Sequence, residues 1–210
     1  MKTPTTQQYS QALGLSIFTI VYNTLEGVVS LLLGAHDETL TLFGFGLDSI
    51  IEVISGIGIL IMIRRIQRTT DGNKSVGEIL ALKITGYSFY ALIVLLIISS
   101  ILALVTRHHP VTTVWGIAIS LISIAVMLVL ARLKITAGRK LDSKAIIADG
   151  NCTMVCVYMS VVLLVSSLLY QWTGLAYFDV LGSVGLCWFC YGEGKEAIEA
   201  AKNIEHSGCC

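Results

Sequence analysis

The chain has 210 residues, 55% of them hydrophobic and 13% charged, with a mean hydropathy of +0.79. A soluble domain of this size needs far more polar surface to cover its core, so composition argues against a soluble fold and for membrane helices. Lys and Arg balance Asp and Glu at 14 each, and a net charge of zero gives no support to nucleic acid as a partner, and none is expected.

The first ten residues (MKTPTTQQYS) are polar with a single Lys, and the apolar run after them is too long for the core of a cleavable signal peptide. From there six stretches reach the ~20 residues that a hydrocarbon layer of ~30 Å requires. They lie near 12–33, 40–63, 79–106, 111–133, 144–170 and 175–197. Short polar breaks separate them, GAHDE, RRIQRTTDGNKS, RHHP, KITAGRKLDS and QWTG, none long enough for an extramembrane domain. The fold class expected is therefore an all-α membrane protein of six transmembrane helices. Residues 1–11 form an N-terminal segment, 12–197 the membrane domain and 198–210 a short tail.

Basic residues cluster in the second and fourth breaks and their margins: Arg64, Arg65, Arg68 and Lys74, then Arg132, Lys134, Arg139, Lys140 and Lys144. Lys2, Lys195 and Lys202 fall on the same side. The opposite breaks carry His36, Asp37, Glu38, Arg107, His108 and His109. Lys and Arg are retained on the cytoplasmic face, which places both termini in the cytoplasm. The expected location is a multi-pass protein of the cell (inner) membrane.

Ionisable groups within spans are costly and mark function by default. The second span reads FGFGLDSIIEVISG, with Asp48 and Glu52 four residues apart and so on one helix face. Two carboxylates one turn apart destabilise each other unless a cation or protons sit between them. The bland alternative is an acid that snorkels or pairs with a basic neighbour. No Lys or Arg is placed at that depth by this reading, which favours cation binding. The fifth span opens KAIIADGNCTMVCVYMS, where Cys152 and Cys156 repeat the same spacing. Thiolates suit Zn²⁺ and softer ions, although a buried Cys is often only a small hydrophobe. Two such pairs on two helices supply the four ligands of a tetrahedral site.

The other polar groups carry less. Cys187 and Cys190 form a CxxC on the sixth span, outside the strand-to-helix setting of a redox motif, and packing is the favoured reading. Cys209, Cys210 and His206 lie in the tail, where thiols stay reduced and constraint is least. Asn23 and Glu26 could line a cavity or bond to a neighbouring helix. Asp149 and Asp179 read as helix-end acids at the interface. Gly44, Gly46, Gly56 and Gly58 permit close helix approach.

With these residues in place, the chain resembles the cation diffusion facilitator family of metal transporters. TLTLFGFGLDSIIEVIS is similar to that family's SLALLADALHSLSD pattern, with Asp48 and Glu52 in the ligand positions. SKAIIADGNCTMVC is similar to SLALRADALHLLSD, so Cys152 and Cys156 fall where the family has His and Asp. NTLEGVVSLLLG resembles the first helix, and AYFDVLGSVG the sixth, where Asp179 matches a recurrent acid. The resemblance implies a homodimeric carrier, not an enzyme. It would exchange a divalent ion for protons by alternating access and export it from the cytoplasm, with no resident cofactor. The expected partners are therefore the metal ion, protons and the lipid bilayer. Two departures stand out. The chain stops at Cys210 without room for the family's cytoplasmic metal-binding domain, and sulfur in place of imidazole and carboxylate tilts selectivity toward Zn²⁺ or Cd²⁺ and away from Mn²⁺ and Mg²⁺. Rival readings are a copper(I) or mercury carrier built on the sulfurs, a membrane thiol–disulfide protein, and an inactive scaffold.

Overall fold

Lipid offers no partner to a free N–H or C=O, so an apolar chain satisfies its backbone there by closing into helix. In the computed structural model the described residues are 6–36, 40–68, 74–106, 114–173 and 177–207, and all are helical apart from the turn at Asp142 and Ser143. They form α1 (Thr6–His36), α2 (Leu40–Arg68), α3 (Lys74–Thr106), α4 (Val114–Leu141), α5 (Lys144–Thr173) and α6 (Tyr177–Ser207). Four expected spans fall within one of these helices; those near 111–133 and 175–197 begin outside the described residues and otherwise lie on α4 and α6. At about 1.5 Å per residue, helices of 28 to 33 residues are roughly 42–50 Å long, more than the hydrocarbon layer needs. Lys2, Asp37, Glu38, Arg107, His108, His109, Cys209 and Cys210 lie outside the described residues, as do the side chains of His36, Lys74 and Asp179 and the surroundings of Gly44.

Large apolar side chains face outward as well as into the core. Val21, Leu25, Val28 and Leu32 line one exposed stripe of α1, and Val94, Ile98, Ile101 and Val105 line another on α3. On α6, Leu181, Val184 and Trp188 do the same. Asn23, Glu26, Asp48, Glu52, Asp149 and Thr153 are buried instead. Apolar surface this extensive, on helices of this length, fits a hydrocarbon surround. Five helices, α1 to α5, contain a stretch long and apolar enough to cross a membrane: Gln7–Leu33, Gly46–Gln67, Val76–Leu102, Ser120–Leu141 and Lys144–Val162. The chain is an integral, multi-pass membrane protein. Among the described residues α6 falls short of that test, because Glu193, Lys195, Glu196 and Glu199 crowd its second half.

The helices pack as a closed ring in the order α1, α2, α3, α6, α5, α4, and α5 leans inward to touch α2 and α3 as well. Small residues set the closest approaches. A Cβ on Gly46 would stand 2.7 Å from Leu31 Cγ and 3.0 Å from the Gly27 carbonyl, so α1 and α2 meet backbone to backbone there. Within the ring, Ser and Thr hydroxyls donate to carbonyls four residues earlier, as Ser16 does to Ala12, Thr19 to Leu15 and Ser160 to Cys156. These bonds satisfy the hydroxyls without water.

The α4–α5 connection corrects the sequence reading. The first eight residues of KITAGRKLDS are not a polar loop but the last turns of α4, and only Asp142 and Ser143 separate them from α5. Ser143 N–H donates to the Gly138 carbonyl and Asp142 N–H to the Arg139 carbonyl, closing a Schellman motif with Asp142 at φ 50°. The Ser143 hydroxyl then donates to Glu78 of α3 at 2.9 Å. A connection this short forces α4 and α5 into an antiparallel hairpin, and a Cβ on Gly150 would stand 3.1 Å from the backbone nitrogen of Ile135.

Candidate metal site between the second and fifth helices

Antiparallel helices in contact bring residues together at a constant sum of their numbers, and α2 and α5 keep this register through three levels. At one level the Asp48 carboxylate of α2 stands beside the Cys156 thiol of α5, which donates to the Cys152 carbonyl of its own helix. One turn on, the Thr153 hydroxyl donates to Glu52 Oε1. At the third, Ser55 Oγ donates to Asp149 Oδ1 at 2.7 Å and lies 3.0 Å from Thr85 Oγ1 of α3. Asp48, Glu52, Cys152 and Cys156 are 3% exposed or less, so all four predicted ligands face the interior of the ring.

Lys134 of α4 overturns one expectation. It is 1% exposed, not part of a cytoplasmic loop, and it reaches the depth of the carboxylates. Its ammonium lies 2.9 Å from Asp149 Oδ2 and 3.5 Å from Glu52 Oε1, and it donates to Thr153 Oγ1 at 2.9 Å. An unpaired ammonium in hydrocarbon is prohibitively costly, and these three contacts are what make its burial tolerable. Asp149 is likewise no interfacial acid. It is 1% exposed and holds both the ammonium and the Ser55 hydroxyl. Arg132, Arg139, Lys140 and Lys144 remain exposed on this hairpin and keep its surface basic.

Two carboxylate oxygens at the centre have neither a hydrogen-bond partner nor an ion pair, Asp48 Oδ1 and Glu52 Oε2, whereas Asp149 Oδ2 is met by the Lys134 ammonium. Asn23 Oδ1 of α1 is a third such acceptor, while its amide nitrogen donates to the Thr19 carbonyl. Beside it, Glu26 accepts from Tyr22 at 3.3 Å and from Ser49 of α2 at 3.5 Å, so it bonds across to the neighbouring helix. Buried polar atoms in native proteins nearly always have partners, and orphaned ones ask for an explanation.

The arrangement brings Asp48 to Cys156, but it engages Glu52 with Lys134 and Thr153. Cys152 is fully buried in an apolar cluster with Phe89, Leu92, Val155 and Cys190. Among the described residues no three His, Cys, Asp or Glu side chains converge as a metal cluster. Cys187 is packed against that same apolar cluster, as the packing reading expects, and Cys152, Cys156, Cys187 and Cys190 are free thiols.

Sequence reading missed Lys134, Thr153 and the depth of Asp149. A signal for Lys134 was present. Met127, Leu130, Ala131 and Lys134 are all buried and follow helical spacing, so the apolar stripe of α4 runs straight into the Lys. A comparison with protein families matches residues 16–194 to the cation efflux transmembrane domain.

Proposed function

The chain belongs to the cation efflux family and is thereby a membrane cation transporter, and we propose that its cargo is a thiophilic divalent ion, Zn²⁺ or Cd²⁺ first, held by Asp48, Glu52, Cys152 and Cys156. The observation that carries this reading is the pair of partnerless oxygens, Asp48 Oδ1 and Glu52 Oε2, buried on the helix face that meets the two thiols. A carboxylate oxygen isolated from water and from donors is stabilised by a cation. Sulfur beside it selects Zn²⁺ and Cd²⁺ over Mn²⁺ and Mg²⁺.

Loading asks small movements of the chain. Glu52 turns from Thr153 toward the level of Asp48, and Cys152 and Cys156 rotate off their helix to complete four ligands. Thiolate, not thiol, binds metal, so loading releases protons and unloading takes them up. That is a chemical basis for metal–proton antiport without histidine. The ring then opens alternately to either side, with α6 as a sixth span, both termini cytoplasmic and export from the cytoplasm as the direction. The carrier works as a homodimer.

Transport into proteoliposomes tests this. The Cys152→Ser, Cys156→Ser variant should lose Zn²⁺ and Cd²⁺ uptake by more than the about 10- to 100-fold that even an outer partner of a metal site is worth. Undiminished uptake would sink the ligand assignment.

A further inference from the structure

Within the membrane-buried centre the acids outnumber the bases. Asp48, Glu52 and Asp149 face one another across α2 and α5, and Lys134 is the ammonium placed among them. Its two ion pairs are unequal. Asp149 Oδ2 is 2.9 Å away, whereas Glu52 Oε1 is 3.5 Å away and is linked to the ammonium chiefly through Thr153. Thr153 accepts from Lys134 and donates to Glu52, and its oxygen also lies 3.2 Å from the Asp149 carbonyl. A shift of the ammonium toward Asp149 therefore needs no new partner. Thr153 can turn its proton to the carbonyl of its own helix as Glu52 leaves.

The geometry points to Lys134 as a tethered counter-cation, one that holds Glu52 before the transported ion arrives and withdraws to Asp149 when that ion takes Glu52. This inference rests on the metal-site reading above and adds a competitor to it. Lys134 keeps its charge throughout, and what changes is the carboxylate it serves. Without the ammonium, a carrier that has released its cargo would hold Glu52 uncompensated in low dielectric. Lys134 is thus a positioning residue that speeds the return step at the expense of affinity.

The test is a Zn²⁺ and Cd²⁺ binding isotherm on purified protein, paired with proteoliposome turnover, for wild type, Lys134→Met, Asp149→Asn, the double variant Lys134→Met/Asp149→Asn, and Asp48→Ala. Lys134→Met removes the competitor, so the Kd should fall at least about tenfold while turnover drops by a similar factor. Asp149→Asn removes the berth, leaves the ammonium on Glu52, and should weaken binding. The double variant removes an acid and a base together, which guards against misfolding of the single one, and should bind more tightly than wild type. A merely structural Lys134 gives the opposite sign, with binding weakened or unchanged in both Lys134→Met backgrounds, and that result overturns the inference. Wild-type binding that survives Asp48→Ala is a different failure: the metal-site reading then falls and takes this one with it.

Discussion

Asp48 and Glu52 occupy the same helix face but have different surroundings, one against a thiol and the other against a hydroxyl that also serves an ammonium. Thr153 is the side chain on which this difference turns. Thr153→Val keeps the volume and removes the hydroxyl, leaving Glu52 Oε1 with only the 3.5 Å ion pair to Lys134. The expected cost is about 1–3 kcal/mol, the usual penalty for a buried polar group left unpaired. It should appear as a lower thermal midpoint in detergent, and Thr153→Ser should restore most of it. The four candidate ligands were legible in the sequence because carboxylates and cysteines at i, i+4 are conspicuous in apolar spans. Lys134 carried a weaker signal, the apolar stripe of α4 that runs into it, and a Lys within a basic run looks like a loop charge until the hairpin is known to be too tight for one. Asp149 failed for the same reason, because its depth depends on where α4 ends.

Among elements, the α4–α5 hairpin decides the most. Its two-residue turn lays Lys134 beside Thr153, and the register follows from Asp142 in a left-handed conformation and Ser143 donating to Glu78. Asp tolerates that conformation less well than Gly, so Asp142→Gly should be neutral to stabilising by up to about 1 kcal/mol, read as a raised thermal midpoint. The α1–α2 contact is the opposite case. In Gly46→Ala the new methyl would meet the Leu31 side chain and the Gly27 carbonyl at the distances given above, and overpacking of this kind costs typically about 1–3 kcal/mol. The variant should unfold at lower temperature while retaining its ligands. Helix number and order were readable from apolar length alone. Helix ends were not, because Thr, Gly, Arg and Lys are compatible with helix as well as with a break, and tertiary contact decides between them.

The whole molecule sets lipid-compatible stripes outside and, between buried apolar clusters, a polar centre shared by α1, α2, α4 and α5. The buried carboxylates are carried by helices that also bear exposed Val, Leu and Ile, so neither feature survives alone in the membrane. Exposed basic residues at Arg64, Arg65, Arg132, Arg139 and Lys140 favour one orientation. A fluorescent-protein fusion after Cys210 should fluoresce and a periplasm-dependent phosphatase fusion there should stay inactive; the reverse pattern would refute cytoplasmic termini. The central claim, a cation site at Asp48, is tested most directly by equilibrium binding of Zn²⁺, Cd²⁺, Mn²⁺ and Cu⁺ to purified wild type and Asp48→Ala at neutral pH. Binding of Zn²⁺ or Cd²⁺ in preference to Mn²⁺, lost in the variant, is the predicted result. Equal binding by both proteins, or a preference for Cu⁺ that ignores Asp48, would contradict it and move the metal to the sulfurs.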